Sequence, residues 1–134
     1  MSNYQHIYSY TVQETDLDFL GHVNNATYVK LYEQARWQLV HERGYTFKKL
    51  IELQQSPIIL EINVKYLKEL QARENIEIKT QLLEYPGKIG KLQQSMFISG
   101  SETVISEAVI TFGLFDMKRR KLIDATPEWL EVLK

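Results

Sequence analysis

One stretch of the chain carries a long helical repeat of apolar residues, and it limits the fold more than any other feature. Between about Asn25 and Arg43, apolar side chains recur every three or four positions, which predicts an amphipathic helix with one buried face. The apolar positions are Tyr28, Leu31, Tyr32, Ala35 and Leu39. Asn24 or Asn25 can cap the first turn, and Gly44 is placed to end the last.

Most of the remaining sequence alternates between apolar and polar residues, as β-strands do. Strands are predicted within residues 5–13, 60–66, 76–82, 92–98 and 103–115, with a short extension over residues 119–123. A short helix from Pro127 to Leu133, capped by Thr126, closes the chain. One strand, one long helix and then a run of strands is an α+β pattern. A sheet curved around a single helix leaves open edges, so we expect a homodimer or a homotetramer.

Length and composition predict a single domain over residues 1–134, in a protein that is soluble and cytoplasmic. The net charge of -1 at pH 7 gives no reason to expect nucleic acid as a partner. The chain has no cysteine, which excludes disulfides, thiolate nucleophiles and cysteine–zinc sites. No stretch approaches the ~20 apolar residues of a membrane span, and the start lacks the features of a secretory signal. We therefore expect neither a metal nor an organic cofactor, and no membrane partner.

The segment from Asp16 to Tyr28 gathers the side chains best suited to chemistry. Two carboxylates, a glycine, an imidazole and two amides stand where a strand gives way to the long helix. Backbone N–H groups at the start of a helix favour negative charge or a polarised carbonyl. A carboxylate just upstream can attack such a carbonyl, or activate water against it. This junction predicts an acyl-transfer or hydrolysis site.

The same residues resemble a family signature. The pattern is Asp18-x-x-Gly21-His22-Val23-Asn24-Asn25, then Tyr28 and Glu33-x-Ala35-Arg36. It is similar to the signature of hotdog-fold thioesterases of the 4-hydroxybenzoyl-CoA thioesterase type. The His-Val-Asn-Asn run is also similar to a segment near the catalytic loop of plant acyl-ACP thioesterases. The resemblance implies a hotdog fold, in which a curved antiparallel sheet wraps one long helix, and hydrolysis of acyl-CoA thioesters.

By this resemblance Asp18 is the catalytic carboxylate, acting as nucleophile or as general base for water. Its structural alternative is an Asx turn or a helix cap. His22 orients the thioester or bonds to the attacking water, or it is only a structural donor. Asn25 is a substrate ligand or a cap. Asp16 has the wrong spacing to Gly21 for the family pattern, so we interpret it as a turn or solvent residue.

The resemblance also suggests how the substrate is positioned. Gly21 permits a positive φ or a close approach of the ligand to the backbone. The backbone N–H groups of Val23 and Asn24 are the expected oxyanion donors. The expected walls of the acyl pocket are Phe19, Leu20, Tyr28 and Tyr32.

Other charged residues have two interpretations each. Glu33 is a competing carboxylate, because some hotdog thioesterases carry their catalytic acid on the helix, but it can instead pair with Arg36. Lys88 and Lys91 lie in a turn whose counterparts in the family contact coenzyme A phosphates, or they are simply solvated. The basic cluster 118–121 is a charged hairpin tip, or a docking patch for an acyl carrier protein.

Two positions depart from the family pattern. Many relatives have a proline after the Tyr-Leu-x run and a Gly-Asp pair soon afterwards, whereas this chain has Glu69 and Arg73-Glu74 there. These differences weaken any inference about the acyl group. Two rival functions follow the same resemblance: a thioesterase acting on acyl carrier protein, and a non-catalytic hotdog module that binds acyl groups.

Overall fold

Three helices and six strands make up residues 5–134, the part of the chain that the computed structural model describes. The helices are α1 (Asn25–Glu42), α2 (Phe47–Leu53) and α3 (Pro127–Leu133). The strands are β1 (His6–Thr11), β2 (Gln55–Tyr66), β3 (Asn75–Glu84), β4 (Gly90–Ile98), β5 (Val104–Asp116) and β6 (Lys121–Ile123). One turn of 3₁₀ helix, Glu14–Asp16, follows β1.

The strands form one antiparallel sheet in the order β1-β3-β4-β5-β2, and β6 pairs with the end of β5. The register shifts at three places, and the shift in β2 falls between Ile59 and Glu61. Bulges of this kind bend a strand and increase its twist, which suits a sheet that curves around a helix. β1 and β2 are left as the two edge strands.

The core forms where the apolar face of α1 meets the sheet. All five predicted apolar positions of α1 are buried, together with Val40. They share one cluster with fully buried side chains of β3, β4 and β5, among them Ile78, Met96 and Ile110. An isolated helix of this length is marginal in water. Burial is worth about 1.5–3 kcal/mol for each large apolar side chain, so the sheet is what stabilises α1.

The caps of the helices follow the sequence closely. Asn24 is the N-cap of α1, since its side-chain oxygen accepts a hydrogen bond from the N–H of Ala26 at 2.8 Å. Gly44 follows the last turn with φ +95°, a conformation in which a side chain would be strained. Thr126 caps α3 by accepting from the N–H of Trp129 at 3.1 Å. Each of these signals was local, and each is confirmed.

Two local predictions were incomplete. The sequence did not predict α2, which begins after Thr46, whose hydroxyl accepts from the N–H of Lys49. Its seven residues are too few for a clear periodic pattern. β2 begins at Gln55 rather than at Leu60, and it contains Pro57. A proline is tolerated there because β2 is an edge strand and needs no ladder bond on its outer side.

A buried polar side chain ties α1 to the sheet. Gln94 of β4 donates to the carbonyl of Tyr32 at 3.1 Å and to the hydroxyl of Thr80 at 3.0 Å. Its side-chain oxygen accepts from the guanidinium of Arg36 at 3.0 Å. Burial lowers the pKa of Arg36 below its usual value. With both ends of the Gln94 amide bonded, the network avoids the cost of an unpaired buried polar group.

Replacing Gly113 with alanine is expected to destabilise the fold. A Cβ at this position in β5 would lie 2.7 Å from Leu122 Cδ2 and 2.9 Å from the carbonyl oxygen of Lys88. Overpacking of this kind costs about 1–3 kcal/mol, which urea unfolding would measure. Gly87→Ala is the matched control, because its Cβ would meet nothing closer than Asp124 Oδ1 at 3.9 Å. Equal stabilities for the two variants would contradict the packing described for β5.

Candidate active site

The loop before α1 is folded around the carboxylate of Asp18. Its Oδ1 accepts hydrogen bonds from the N–H of Leu20 at 2.8 Å and of His22 at 3.3 Å. The N–H of Asp18 donates to the carbonyl of His22 at 2.7 Å, and the N–H of Gly21 donates back to the carbonyl of Asp18. Gly21 has φ +82°, which explains the glycine at this turn. Asp18 therefore forms the Asx turn that the sequence offered as its structural role, and this turn uses only Oδ1. Among residues 5–134, no hydrogen-bond donor contacts Oδ2.

The N–H groups of Val23 and Asn24 are already hydrogen bonded, which corrects their expected role as oxyanion donors. Val23 donates to the carbonyl of Leu70 at 2.9 Å, and Asn24 donates to the carbonyl of Asp16 at 3.0 Å. These bonds hold the loop against its neighbours and leave neither N–H for a ligand. Asn25 is the first residue of α1, and its N–H has no acceptor in the part of the chain that the structure describes. The N–H of Asn25 is therefore the donor at this helix start that a ligand can use.

Asp16 is a structural residue, in agreement with its interpretation as part of a turn. Its Oδ2 accepts from the hydroxyl of Tyr10 at 2.8 Å and from the N–H of Gln13 at 2.9 Å. The pKa of Tyr10 is raised to about 12, chiefly by burial and secondly by the hydrogen bond to Asp16. Asp16 thus fastens β1 to the turn that precedes Asp18.

Asp18 lines a cleft between the start of α1 and the end of β2. The cleft encloses about 400 Å³ and is lined by Asp18, His22, Val23, Asn25, Tyr28, Tyr66, Leu67, Lys68 and Glu69. The rings of Tyr28 and Tyr66 meet edge to face with centroids 5.0 Å apart. Tyr66 donates to the carbonyl of Asn25 at 2.9 Å, and Tyr28 donates to the carbonyl of Lys68 at 3.3 Å. Burial raises the pKa of Tyr28, so its hydroxyl keeps its proton and serves as a donor.

A second carboxylate at this cleft was not predicted. Glu69 Oε2 lies 3.2 Å from His22 Nε2, and Glu69 lines the same cleft. The sequence marked Glu69 only as a departure from the family pattern, and no local signal links it to a histidine 47 positions earlier. Lys68, also missed, lines the same cleft. Both residues belong to the segment that follows β2, and this segment borders the cleft.

Three of the four predicted acyl-pocket residues do not line this cleft. Phe19 is fully exposed and Leu20 is 80% exposed, because the turn at Asp18 directs the next two residues into solvent. Tyr32 is buried in the core, where its carbonyl accepts from Gln94. Only Tyr28 lines the cleft.

Glu33 lies about 12 Å along α1 from Asn25, at ~1.5 Å per residue, and does not line the cleft of Asp18. Its Oε2 accepts from the indole N–H of Trp37 at 3.3 Å. The predicted ion pair with Arg36 is wrong, because the Arg36 guanidinium turns inward to Gln94.

Lys88 and Lys91 lie at the other end of the sheet from the cleft. Tyr66, at the cleft, pairs with Ser106 of β5, whereas Lys91 pairs with Thr111. Five positions of β5 separate these partners, or about 17 Å at ~3.3 Å per residue. Within one chain the structure does not bring the two lysines to Asp18. The basic cluster 118–121 does form the predicted hairpin tip, between β5 and β6, with Asp116 accepting from the N–H groups of Lys118 and Arg119.

Comparison with known proteins decides the family. The model of the thioesterase-like superfamily matches residues 12–133. The chain belongs to the thioesterase-like superfamily. It is 30% identical over 118 residues to the long-chain acyl-CoA thioesterase FadM of Escherichia coli, a match that covers 88% of this chain and 89% of FadM.

Solved structures agree with this assignment. The probable thioesterase YbaW of Escherichia coli superposes with a TM-score of 0.85 at 28% identity, over 96% of both chains. A hypothetical protein of Staphylococcus aureus, SAV2348, solved in complex with CoA, superposes with a TM-score of 0.89 at 17% identity, over 98% of this chain and 83% of that one.

Membership of this superfamily confirms the α+β hotdog fold and the thioesterase class that the sequence predicted. The relationship to FadM supports hydrolysis of acyl-CoA thioesters as the activity. Among residues 5–134 no three His, Asp or Glu side chains are grouped as metal ligands. None of the described helices is long and apolar enough to cross a membrane.

The two asparagines at the helix start are expected to differ when each is replaced by alanine. Asn24→Ala removes the cap of α1 and should lower the free energy of unfolding by about 1 kcal/mol. Asn25→Ala keeps that cap, so its stability should stay within ~0.5 kcal/mol of the parent protein. Urea unfolding measures both. A larger loss in Asn25→Ala than in Asn24→Ala would contradict the assignment of the cap.

Proposed function

We propose that this thioesterase hydrolyses long-chain acyl-CoA in the cleft at the start of α1, using Asp18 and no cofactor. The observation that carries the proposal is the difference between the two carboxylate oxygens of Asp18. Oδ1 accepts the hydrogen bonds of the turn, whereas Oδ2 has no donor among the described residues. The N–H of Asn25 lies at the same cleft, also without a partner in the described chain. The long-chain class is suggested by the name of FadM.

In the proposed reaction the thioester carbonyl accepts a hydrogen bond from the N–H of Asn25. The partial positive charge at the helix start stabilises the negative charge that develops on the carbonyl oxygen. Asp18 Oδ2 either attacks the carbonyl carbon, giving an anhydride that water cleaves, or takes a proton from the water that attacks. Both routes release coenzyme A and a free carboxylic acid. We propose that Glu69 orients the imidazole of His22, which lines the cleft and contacts the bound thioester.

Coenzyme A itself needs a cationic partner. Lys68 lines the cleft, so we propose it as a phosphate contact within the chain. The roles of Lys88 and Lys91 in binding coenzyme A stay predictions, because within one chain these lysines lie far from the cleft. Cytoplasmic location also stays a prediction.

The edge strand β2 supports a homodimer. Its outer edge has no neighbouring strand in the described chain, and Ile59, Leu60 and Ile62 are 42%, 46% and 38% exposed. A long, apolar edge strand is an open template for pairing with another strand. We propose that two copies pair through β2, which would also place the end of β2 and its cleft beside the second copy. A homotetramer built from such dimers remains the alternative prediction.

Leu60→Lys is expected to dissociate this dimer. Leu60 is the extra residue at the bulge of β2, so a charge there enters the proposed interface without disturbing a strand pair. Sedimentation velocity at micromolar protein should show a dimer for the parent protein and a monomer for the variant. Lys65→Leu is the control: it removes a charge near the end of β2 and adds none at the centre of the strand, so this variant should stay dimeric. A parent protein that is monomeric at these concentrations contradicts the proposal.

Asp18→Asn tests the function itself. Asparagine keeps a side-chain oxygen for the N–H groups of Leu20 and His22, so the turn should survive. The variant should lose on the order of 10³-fold in kcat, because an amide neither attacks nor accepts the proton. Thiol release from a panel of acyl-CoAs measures this, with Glu33→Gln as the matched control.

Each outcome of that panel is informative. Activity that survives Asp18→Asn but not Glu33→Gln would move catalysis to the helix. Turnover of acyl carrier protein thioesters alone would favour the carrier-protein rival, for which the basic hairpin tip at residues 118–121 is the docking candidate. Binding of acyl-CoA with no turnover by the parent protein would favour the non-catalytic module.

A further inference from the structure

A second cleft lies along α1, beyond Glu33. It encloses about 110 Å³, so it is smaller than a typical ligand pocket of about 300–1,000 Å³ and has room for one end of a slender apolar chain rather than for a whole ligand. Its walls are mostly apolar and come from five elements, namely α1, β2, β4, β5 and α3. The lining includes the large side chains of Trp37, Ile59, Phe112 and Trp129, and also Val40. The two charged residues at its rim bond within the chain, Glu33 to Trp37 and Arg36 to Gln94, so they leave the wall apolar.

An apolar row on β2 connects this second cleft with the cleft of Asp18. Directly opposed residues of an antiparallel pair lie on the same face of the sheet. On β2 the row is Tyr66, Val64, Ile62 and Ile59, and the opposed residues of β5 are Ser106, Ala108, Ile110 and Phe112. All four β5 residues are buried under α1, so the β2 row faces the helix side as well. Yet Tyr66, Ile62 and Ile59 are 48%, 38% and 42% exposed.

The row and the helix above it form an open trough, defined here by Tyr66, Val64, Ile62 and Ile59 and by the second cleft at its end. Its first residue, Tyr66, lines the cleft of Asp18, and its last, Ile59, lines the second cleft. Along α1 the distance from Asn25 to Trp37 is about 18 Å at ~1.5 Å per residue. An extended chain advances about 1.2 Å per bond, so roughly 15 carbons span the trough.

We propose that the trough binds the acyl chain of the substrate, with its carbonyl at Asn25 and its methyl end in the second cleft between Val40 and Trp37. This inference rests on the proposed function and replaces Phe19, Leu20 and Tyr32 as the acyl site. A chain of about 12 to 16 carbons reaches the second cleft, whereas a shorter chain ends on β2. Each methylene buried in the trough should raise kcat/KM about fourfold, until the chain fills the cleft.

Val40→Phe tests the inference, because the larger side chain fills the second cleft and leaves the cleft of Asp18 unchanged. We expect kcat/KM for acyl-CoAs of about 6 to 8 carbons to match the parent protein, and kcat/KM at about 14 to 16 carbons to fall at least tenfold. His41→Phe is the matched control: the same substitution one residue later, at an exposed position that does not line the cleft.

Trp37→Ala is the second variant, in case Val40→Phe fails to fold. Trp37 is partly exposed, so its truncation removes a wall of the cleft at a small cost in stability. It should lower kcat/KM for the long chains and spare the short ones. An unchanged chain-length profile in a folded variant, with turnover still dependent on Asp18, overturns the trough and leaves the proposed function standing.

Two further outcomes separate the alternatives. No turnover of any acyl-CoA by the parent protein refutes the proposed function itself. A folded Val40→Phe protein that sediments as a monomer with an unchanged profile shows that a second copy of the chain, rather than an acyl chain, occupies the cleft.

Discussion

Burial of one face of α1 against the sheet is the constraint on which the site depends. The helix has 18 residues and would be marginal alone, so its position is set by the side chains it buries on β3, β4 and β5. That position brings its first turn beside the end of β2, where Tyr66 bonds to the carbonyl of Asn25. The cleft of Asp18 and the second cleft lie at the two ends of the same seam between α1 and β2.

The loop before α1 shows how one side chain can serve both structure and chemistry. The turn at Asp18 uses one oxygen of the carboxylate, and in the proposed reaction the other acts on the substrate. The neighbouring N–H groups of Val23 and Asn24 are used to hold the loop, which leaves the N–H of Asn25 as the donor. A turn, a cap and a free donor within eight residues thus provide a preorganised site, and such a site is most effective where negative charge develops.

Much of the fold was readable from the sequence, because the signals were local. The periodicity of α1, its caps and the alternation of β3, β4 and β5 each depend on neighbours a few residues apart. The early start of β2 was missed because Pro57 is a strand signal only if the strand is known to be at an edge. The helix α2 was missed because it is short.

The candidate site was likewise predictable where its residues are close in sequence, and not where they are far apart. Asp18, Gly21 and Asn25 are close in sequence, so one motif could predict their meeting. Glu69 and Lys68 are far from this motif in the sequence, and no pattern in a single sequence predicts that they lie at the same cleft. Phe19, Leu20 and Tyr32 do not line the cleft of Asp18 for a different reason: their order in the sequence does not say which way each side chain faces. Lys88 and Lys91 were predicted from the likeness of their turn to one in the family, and the sequence of a turn does not give its distance from Asp18 in the fold.

A crystal structure of Asp18→Asn with an intact long-chain acyl-CoA tests the central claim most directly. We predict the thioester carbonyl oxygen within hydrogen-bond distance of the N–H of Asn25, about 2.7–3.2 Å, with residue 18 beside the carbonyl carbon and the acyl chain on β2. A thioester bound beside Glu33, with Asn25 N–H still without an acceptor, would contradict the account.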